Sequence, residues 1–151
     1  MRRFLLSFVA AILFMPSVTS AQSTKKQGMV MGIAFYNLEN LFDTINNNGK
    51  YDLEFSPQGS RQWDGRKYWS KINKLAYAIS QLNTKTTPFG PAIIGISEIE
   101  NESVVKDLVE AEPLKKYGLK YVHHDSPDRR GVDVGLLYNP KFYKVDNVTN
   151  H

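Results

Sequence analysis

Apolar residues at helical spacing predict one helix in the first half of the chain. Within residues 68–82 the apolar positions recur at steps of four, three, four and three, at Tyr68, Ile72, Leu75, Ile79 and Leu82. This spacing places them on one face of an amphipathic helix, with polar residues on the other face. Asp64 precedes the helix and is a suitable N-cap, although Gly65 follows it.

Short continuous apolar runs predict strands. Residues 30–35 and 92–96 are such runs, and each leads into a polar segment. The first run indicates a buried strand, and the second is typical of a strand that is covered on both faces. Further strands are predicted at 119–123 and 132–138, and another is predicted to open within 142–148.

The order of the elements predicts the fold class. A second helix is expected around Val104, Val105, Leu108 and Val109, with Asn101 or Ser103 near its start. Residues 43–65 are rich in Asn, Gly, Ser and Asp, which predicts a long loop. The resulting order is strand, helix, strand, helix, strand, strand, which indicates an α/β domain with crossover connections.

The first residues predict a targeting segment rather than part of the domain. A basic start at Arg2 and Arg3 precedes an apolar run at 4–15, and small residues follow up to Ala21. This order is typical of a secretory signal peptide over residues 1–21, followed by a polar leader over 22–28. The alternative is a membrane anchor, but the apolar run is shorter than the ~20 residues that span a bilayer. We therefore expect an exported protein, periplasmic or extracellular, without a stable membrane anchor.

Composition narrows the chemistry. The chain has no cysteine, which excludes disulfides, thiolate metal sites and a cysteine nucleophile. The net charge is +4, and removal of Arg2 and Arg3 with the leader takes Lys+Arg from 19 to 17 against 15 Asp+Glu, leaving +2. A balance this small does not by itself indicate a nucleic-acid partner.

Acidic and amide side chains follow both apolar strands. Asn37 and Glu39 come after the first strand, and Glu98 and Glu100 come after the second. Ligands of α/β sheets bind beyond the carboxyl ends of the strands, and amide and carboxylate oxygens suit a hard cation. Glu98 and Glu100 are two residues apart, which places them on one face if the strand continues. Of the two, Glu98 is the preferred metal ligand because it directly follows the buried run. The alternative interpretation is a pair of solvated strand ends.

A second polar segment, residues 123–131, contains histidines and arginines. Arginine is a planar partner for phosphate, and the turn residues around Arg129 and Arg130 predict that one of them projects from a loop. His123 or His124 could serve as an acid, although a lone histidine at a strand end more often has a structural role. Asp133 lies inside an apolar strand and needs a partner if buried, for which an ion pair with Arg130 or Arg129 is expected.

Three segments together resemble the endonuclease/exonuclease/phosphatase family. They are residues 35–43 (Phe-Tyr-Asn-Leu-Glu-Asn-Leu-Phe-Asp), 94–101 (Ile-Gly-Ile-Ser-Glu-Ile-Glu-Asn) and 129–138 (Arg-Arg-Gly-Val-Asp-Val-Gly-Leu-Leu-Tyr). Their order also matches that of the family, and they span nearly all of the chain after the leader. The combination is more specific than any single segment.

The resemblance implies an α/β fold, a four-layered sandwich of two mixed β-sheets flanked by helices. Residues 29–151 would form its N-terminal part and leave the domain C-terminally incomplete. Asn37 and Glu98 match the catalytic asparagine and glutamate, and Asn37, Glu39 and Glu98 match positions around the metal. Arg130 matches a position that approaches the substrate. The implied cofactor is a divalent metal, most readily Mg²⁺, with Mn²⁺ or Ca²⁺ as alternatives.

The activity implied by the resemblance is metal-dependent hydrolysis of phosphate esters, of nuclease or phosphatase/phosphodiesterase type, in the full-length parent. The substrate would be a nucleic acid, a phospholipid head group or a sugar phosphate, and no protein partner is implied. The family also carries a later Asp-x-Asn pair and a Ser-Asp-His segment, and this chain contains neither. The alternative is therefore a catalytically inactive exported fragment or binding module.

Overall fold

Four strands form one mixed sheet in the computed structural model of the protein, which describes residues 28–45 and 53–149. The strands are β1 (Gly32–Leu41), β2 (Pro91–Ile99), β3 (Lys120–His124) and β4 (Asp133–Tyr138). They are arranged in the order β1-β2-β4-β3. β1 and β2 are parallel, whereas β4 is antiparallel to both β2 and β3. The mixed sheet and its helices confirm the predicted α/β class.

Within the residues that the structure describes, three α-helices and one short 3-10 helix connect the strands. They are the 3-10 helix Leu53–Phe55, α1 (Gly65–Ser80), α2 (Glu102–Glu110) and α3 (Glu112–Lys115). α1 and α2 confirm the two helices predicted from periodicity, and α3 was not predicted because its four residues are too few to show a repeat. No helix in the described part of the chain is both long and apolar enough to cross a membrane.

The core lies between the helices and one face of the sheet. The apolar stripe of α1 supplies Ile72 and Ala76, both fully buried, to a hydrophobic cluster that also contains Ile94 and Ile96 of β2. Burial of such side chains contributes ~1.5–3 kcal/mol each relative to exposure. Within residues 28–45 and 53–149 we find only this one sheet, so the second sheet of the expected sandwich is not among them.

The opposite face of the sheet is apolar and exposed. Ile33 and Phe35 of β1 are 75% and 70% exposed, and Val134 and Leu136 of β4 extend the same face. Alternation along β1 explains this arrangement, because neighbouring residues of a strand point to opposite faces. The described sheet is therefore covered by helices on one side only.

Several strand boundaries and one predicted strand differ from the structure, and β1 shows the largest shift. β1 continues to Leu41 rather than ending at residue 35, because Leu38 and Leu41 remain buried while polar residues interleave. The strand predicted within 142–148 is wrong. Instead, the backbone N–H groups of Phe142 and Tyr143 both donate to the carbonyl of Asn139, at 3.0 and 3.1 Å, and the chain turns. The predicted signal peptide and all but the last residue of the predicted leader lie outside the described residues.

The helix starts are fixed by side-chain caps. Asp64 Oδ1 accepts the backbone N–H of Lys67 at 2.9 Å, which confirms the predicted cap of α1. Asn101 Oδ1 accepts the backbone N–H groups of Ser103 and Val104 at 2.9 and 3.2 Å, which caps α2. The amide of Asn101 also donates to Asp43 Oδ2 at 3.1 Å. Asn101 thus joins the start of α2 to the segment after β1.

Replacement of Asn101 by alanine tests this junction. We expect Asn101→Ala to lower the free energy of unfolding by about 1–2 kcal/mol, because two helix N–H groups lose their acceptor. Urea denaturation monitored by circular dichroism measures the change. Asn101→Ser, which keeps a capping oxygen, should lose less than half as much. An equal loss in both variants would show that the cap is not the cause.

Candidate functional site

The parallel pairing of β1 and β2 brings their C-terminal ends to one edge of the sheet. Asn37 lies beside Ser97, and the next paired positions are Leu41 and Ile99. Residues 38–40 of β1 and Glu98 of β2 are extra residues between these pairs. Glu39, Asn40 and Glu98 adopt left-handed backbone conformations, with φ of 53°, 57° and 59°. Such strain in non-glycine residues is concentrated at functional sites.

Glu98 is held at this edge by two contacts. Its Oε2 accepts the backbone N–H of Asn40 at 3.0 Å, across the two strands. Its Oε1 lies 3.8 Å from Nη1 of Arg130. The side chain is 23% exposed, so its carboxylate is oriented by the protein yet reaches solvent.

Glu100 has a different role. Its side chain accepts the backbone N–H of Asp43 at 2.6 Å, and its own N–H donates to the carbonyl of Leu41. Glu100 is buried and fixes the segment that leaves β1. The regular alternation that would put Glu98 and Glu100 on one face is broken by the left-handed conformation of Glu98. The carboxylate of Glu98 is therefore accessible to solvent, whereas that of Glu100 is buried.

Asn37 and Glu39 lie at the exposed rim of the same edge. Asn37 Oδ1 accepts the backbone N–H of Glu39 at 2.7 Å, which fixes the direction of the amide. An amide oxygen has two lone pairs, so this bond leaves one for a further partner. The negative charges of Glu39 and Glu98 both favour the protonated form of Lys71 and so raise its pKa, against the effect of burial.

Lys71 reaches the edge from α1 and was not predicted as a site residue. Its Nζ donates to the backbone carbonyls of Glu39 and Asn40, the latter at 3.0 Å. Burial lowers the pKa of Lys71, and the charges of Glu39 and Glu98 oppose that shift. The sequence shows Lys71 only as a polar residue of an amphipathic helix. Nothing in its spacing indicates that it reaches the end of β1.

Arg130 projects from the loop between β3 and β4 towards Glu98. Asp128 holds its guanidinium through Nη2 to Oδ2 at 2.9 Å and Nε to Oδ1 at 3.2 Å. The backbone N–H of Arg130 also donates to Asp128 Oδ1 at 2.8 Å. The hydrogen bonds and charge of Asp128 raise the pKa of Arg130, with Glu98 adding to the shift. The structure therefore brings Glu98 and Arg130 together.

The prediction of an ion pair between Asp133 and Arg130 or Arg129 is wrong. Asp133 is buried, and its Oδ2 lies 2.9 Å from Nε2 of His123, while its Oδ1 accepts the backbone N–H of Ser126 at 2.7 Å. The turn after Ser126 carries Arg130 away from Asp133 and towards β2. His123 is thus engaged in the structural role that was the commoner interpretation.

His123, Asp125 and Asp133 also form a group with metal-ligating atoms. Within the part of the chain that the structure describes, it is the one compact group of three such side chains, with ligand atoms within 4.8 Å. Asp125 is 93% exposed and its Oδ1 lies 3.9 Å from Nδ1 of His123. Both oxygens of Asp133 already accept hydrogen bonds, from His123 and from the backbone of Ser126. These bonds tie the loop between β3 and β4 to the sheet, and we call the group the loop clamp.

The donors at the β1–β2 edge fit a hard divalent cation. Mg²⁺ is usually held by one or two carboxylates, with waters and substrate phosphates completing its shell. Glu98 supplies an oriented and accessible carboxylate, and Asn37 supplies an amide oxygen on the adjacent strand. Glu39 adds a second, exposed carboxylate at the rim. Oxygen donors without a thiol favour Mg²⁺, Mn²⁺ or Ca²⁺ over softer metals.

Comparison with known proteins identifies the family. Comparisons with curated proteins and with solved structures find no significant match. A sequence profile of the endonuclease/exonuclease/phosphatase family matches residues 32–151, which is well over half of the chain. The match covers the β1–β2 edge and the Arg130 loop. The family as a whole is associated with metal-dependent hydrolysis of phosphate esters. The chain belongs to the endonuclease/exonuclease/phosphatase family.

Proposed function

We propose that the β1–β2 edge is a phosphoesterase site in which Glu98 and Asn37 hold a divalent cation, with Glu39 beside them. The arrangement of Glu98 carries this proposal. Its carboxylate is pinned by the N–H of Asn40 at 3.0 Å, and the guanidinium of Arg130 stands 3.8 Å from its other oxygen. A cation-binding carboxylate and a phosphate-binding arginine thus face one another.

In the proposed site, some groups stabilise the charge of the phosphate and others hold these groups in position. A divalent cation, when bound, polarises the phosphoryl oxygen and stabilises the leaving oxyanion. Arg130 offsets the negative charge of the phosphate, and Asp128 keeps its guanidinium turned towards the edge. Lys71 holds the carbonyls of Glu39 and Asn40, which keeps the left-handed segment of β1 in place.

Activation of the attacking water needs a separate base. His123 does not serve this purpose in our proposal, because its Nε2 contacts Asp133 rather than the β1–β2 edge. We place the base in the Asp-His segment that the family carries further along the chain. The export predicted from residues 1–21 is likewise part of the proposal, and it favours a substrate outside the cytoplasm.

Metal removal tests the proposed activity. We expect the mature chain, or the longer chain that supplies the base, to hydrolyse bis(4-nitrophenyl) phosphate only with a divalent cation. EDTA should reduce the release of nitrophenolate to background, and an excess of Mg²⁺ or Mn²⁺ should restore it. Isothermal titration with Mn²⁺ provides an independent readout. Cation binding without hydrolysis in either chain would favour the non-catalytic binding module, and hydrolysis that persists in EDTA would contradict the proposal.

A further inference from the structure

A basic cleft runs along α1 next to the β1–β2 edge. It has a volume of about 570 Å³, and its lining includes Glu39 at the end near the candidate metal site. The rest of the lining is mainly cationic and comes from α1, with Trp63 at its side: Arg66, Lys67, Lys71 and Lys74. The cleft and the candidate metal site therefore share Glu39 and Lys71.

The cations stand in rows along one side of the helix. Arg66, Ser70 and Lys74 are four residues apart, which is about 6 Å of rise per step. Lys67 and Lys71 form the neighbouring row, and Nζ of Lys67 donates to the carbonyl of Arg61 at 2.7 Å. No side-chain hydrogen bond or ion pair joins Lys74 to another residue in the described part of the chain. A linear row of positive charges suits a linear polyanion.

The aromatic residue of the cleft points to the kind of polyanion. Trp63 is half-buried, its indole N–H donates to the carbonyl of Phe42 at 3.0 Å, and Nζ of Lys71 lies 5.7 Å from the ring centroid. Single-stranded nucleic acids are bound by grooves that combine cations for the backbone with aromatic rings for the bases. An anionic membrane surface fits less well, since no aliphatic side chain lines the cleft.

We infer that this cleft binds a single strand of nucleic acid and guides it to the β1–β2 edge. The inference names the substrate class of the proposed phosphoesterase site and rests on that proposal for its functional meaning. Binding itself requires neither metal nor hydrolysis. Arg66 and Lys74 lie about 12 Å apart along the helix axis, so they would contact phosphates of non-adjacent nucleotides. Lys71 would lie where the strand reaches Glu39 and Glu98.

The experiment measures the affinity of the chain for a fluorescein-labelled single-stranded oligonucleotide. Fluorescence anisotropy is recorded in EDTA, so that no turnover occurs, at several salt concentrations. The charge-reversal variant Arg66→Glu/Lys74→Glu is compared with Lys106→Glu/Lys120→Glu, whose lysines line a separate cleft. Both variants change the formal charge by the same amount, and circular dichroism verifies their folding.

We expect the α1 variant to weaken binding by about tenfold or more and to reduce the salt slope by about 1.4, or ~0.7 for each lost phosphate contact. The control should bind within about twofold of the wild type. Equal weakening in both variants, or no change in the α1 variant, would overturn the inference. Binding to vesicles of phosphatidylserine and phosphatidylcholine without binding to the oligonucleotide would also overturn it. Tight oligonucleotide binding would leave the inference standing even if neither this chain nor the longer chain that supplies the base hydrolysed a phosphodiester, and that result would refute the proposed activity.

Discussion

Replacement of Glu98 by glutamine is expected to lower metal-dependent phosphodiester hydrolysis by about 100- to 1000-fold. A cation at the reacting phosphate lowers the activation barrier by several kcal/mol, and each ~1.4 kcal/mol removed from the barrier raises the rate tenfold. Glutamine keeps an oxygen that can accept the N–H of Asn40. The register shift at the ends of β1 and β2, where residues 38–40 and Glu98 are extra residues, should therefore persist. The variant therefore removes charge from the site while conserving its shape.

The control for Glu98→Gln is the same substitution at a glutamate elsewhere on the surface. Glu110 is exposed at the end of α2 and lines the separate cleft of Lys106 and Lys120. Glu110→Gln should retain more than half of the activity and bind Mn²⁺ as the wild type does. Mn²⁺ titration of Glu98→Gln should show a loss of affinity even in a chain that does not turn over. Unchanged cation affinity in that variant would exclude Glu98 as a ligand.

Local periodicity explains which parts of the fold could be predicted. The step pattern of Tyr68, Ile72 and Ile79 lies within one helix, and the capping chemistry of Asp64 acts within three residues. Both signals are complete in a short stretch of sequence. The strands 92–96 and 132–138 were likewise located to within a few residues, since each is a single apolar run.

The candidate site depends on contacts that no short stretch contains. The bond between Asn40 and Glu98 joins residues 58 positions apart, and the bonds of Lys71 to β1 span more than 30. The left-handed conformations at Glu39 and Glu98 arise where the register of the two strands shifts. Register and loop direction are properties of the assembled sheet, so the sequence indicated the residue types of the edge without its geometry.

The partners of Asp133 also depend on the assembled fold rather than on neighbouring residues in the sequence. The sequence correctly required a partner for a carboxylate inside an apolar strand, but it suggested the nearest arginines. In the structure the partners are His123 at 2.9 Å and the backbone N–H of Ser126 at 2.7 Å. Ser126 in turn accepts the N–H of Asp128 and donates to the carbonyl of Val132. Asp133 therefore anchors the loop in which Asp128 orients Arg130.

Asp133→Ala is expected to lower the free energy of unfolding by about 2–4 kcal/mol, because it leaves two partly buried donors without their acceptor. Urea denaturation measures the loss, and faster amide exchange at Ser126 should accompany it. Asp133→Asn keeps one acceptor and should lie between the wild type and the alanine variant, which guards against a variant that fails to fold.

Asp125→Ala is the matched control, since it removes a carboxylate from the same cluster at a side chain that is 93% exposed. A loop clamp predicts a change within about 0.5 kcal/mol for this variant. If His123, Asp125 and Asp133 instead held a cation, Zn²⁺ or Mn²⁺ would raise the stability of the wild type and Asp125→Ala would abolish that gain. Equal stabilities of the two alanine variants without metal would contradict the clamp, because the hydrogen bonds that distinguish Asp133 from Asp125 would then have no energetic consequence.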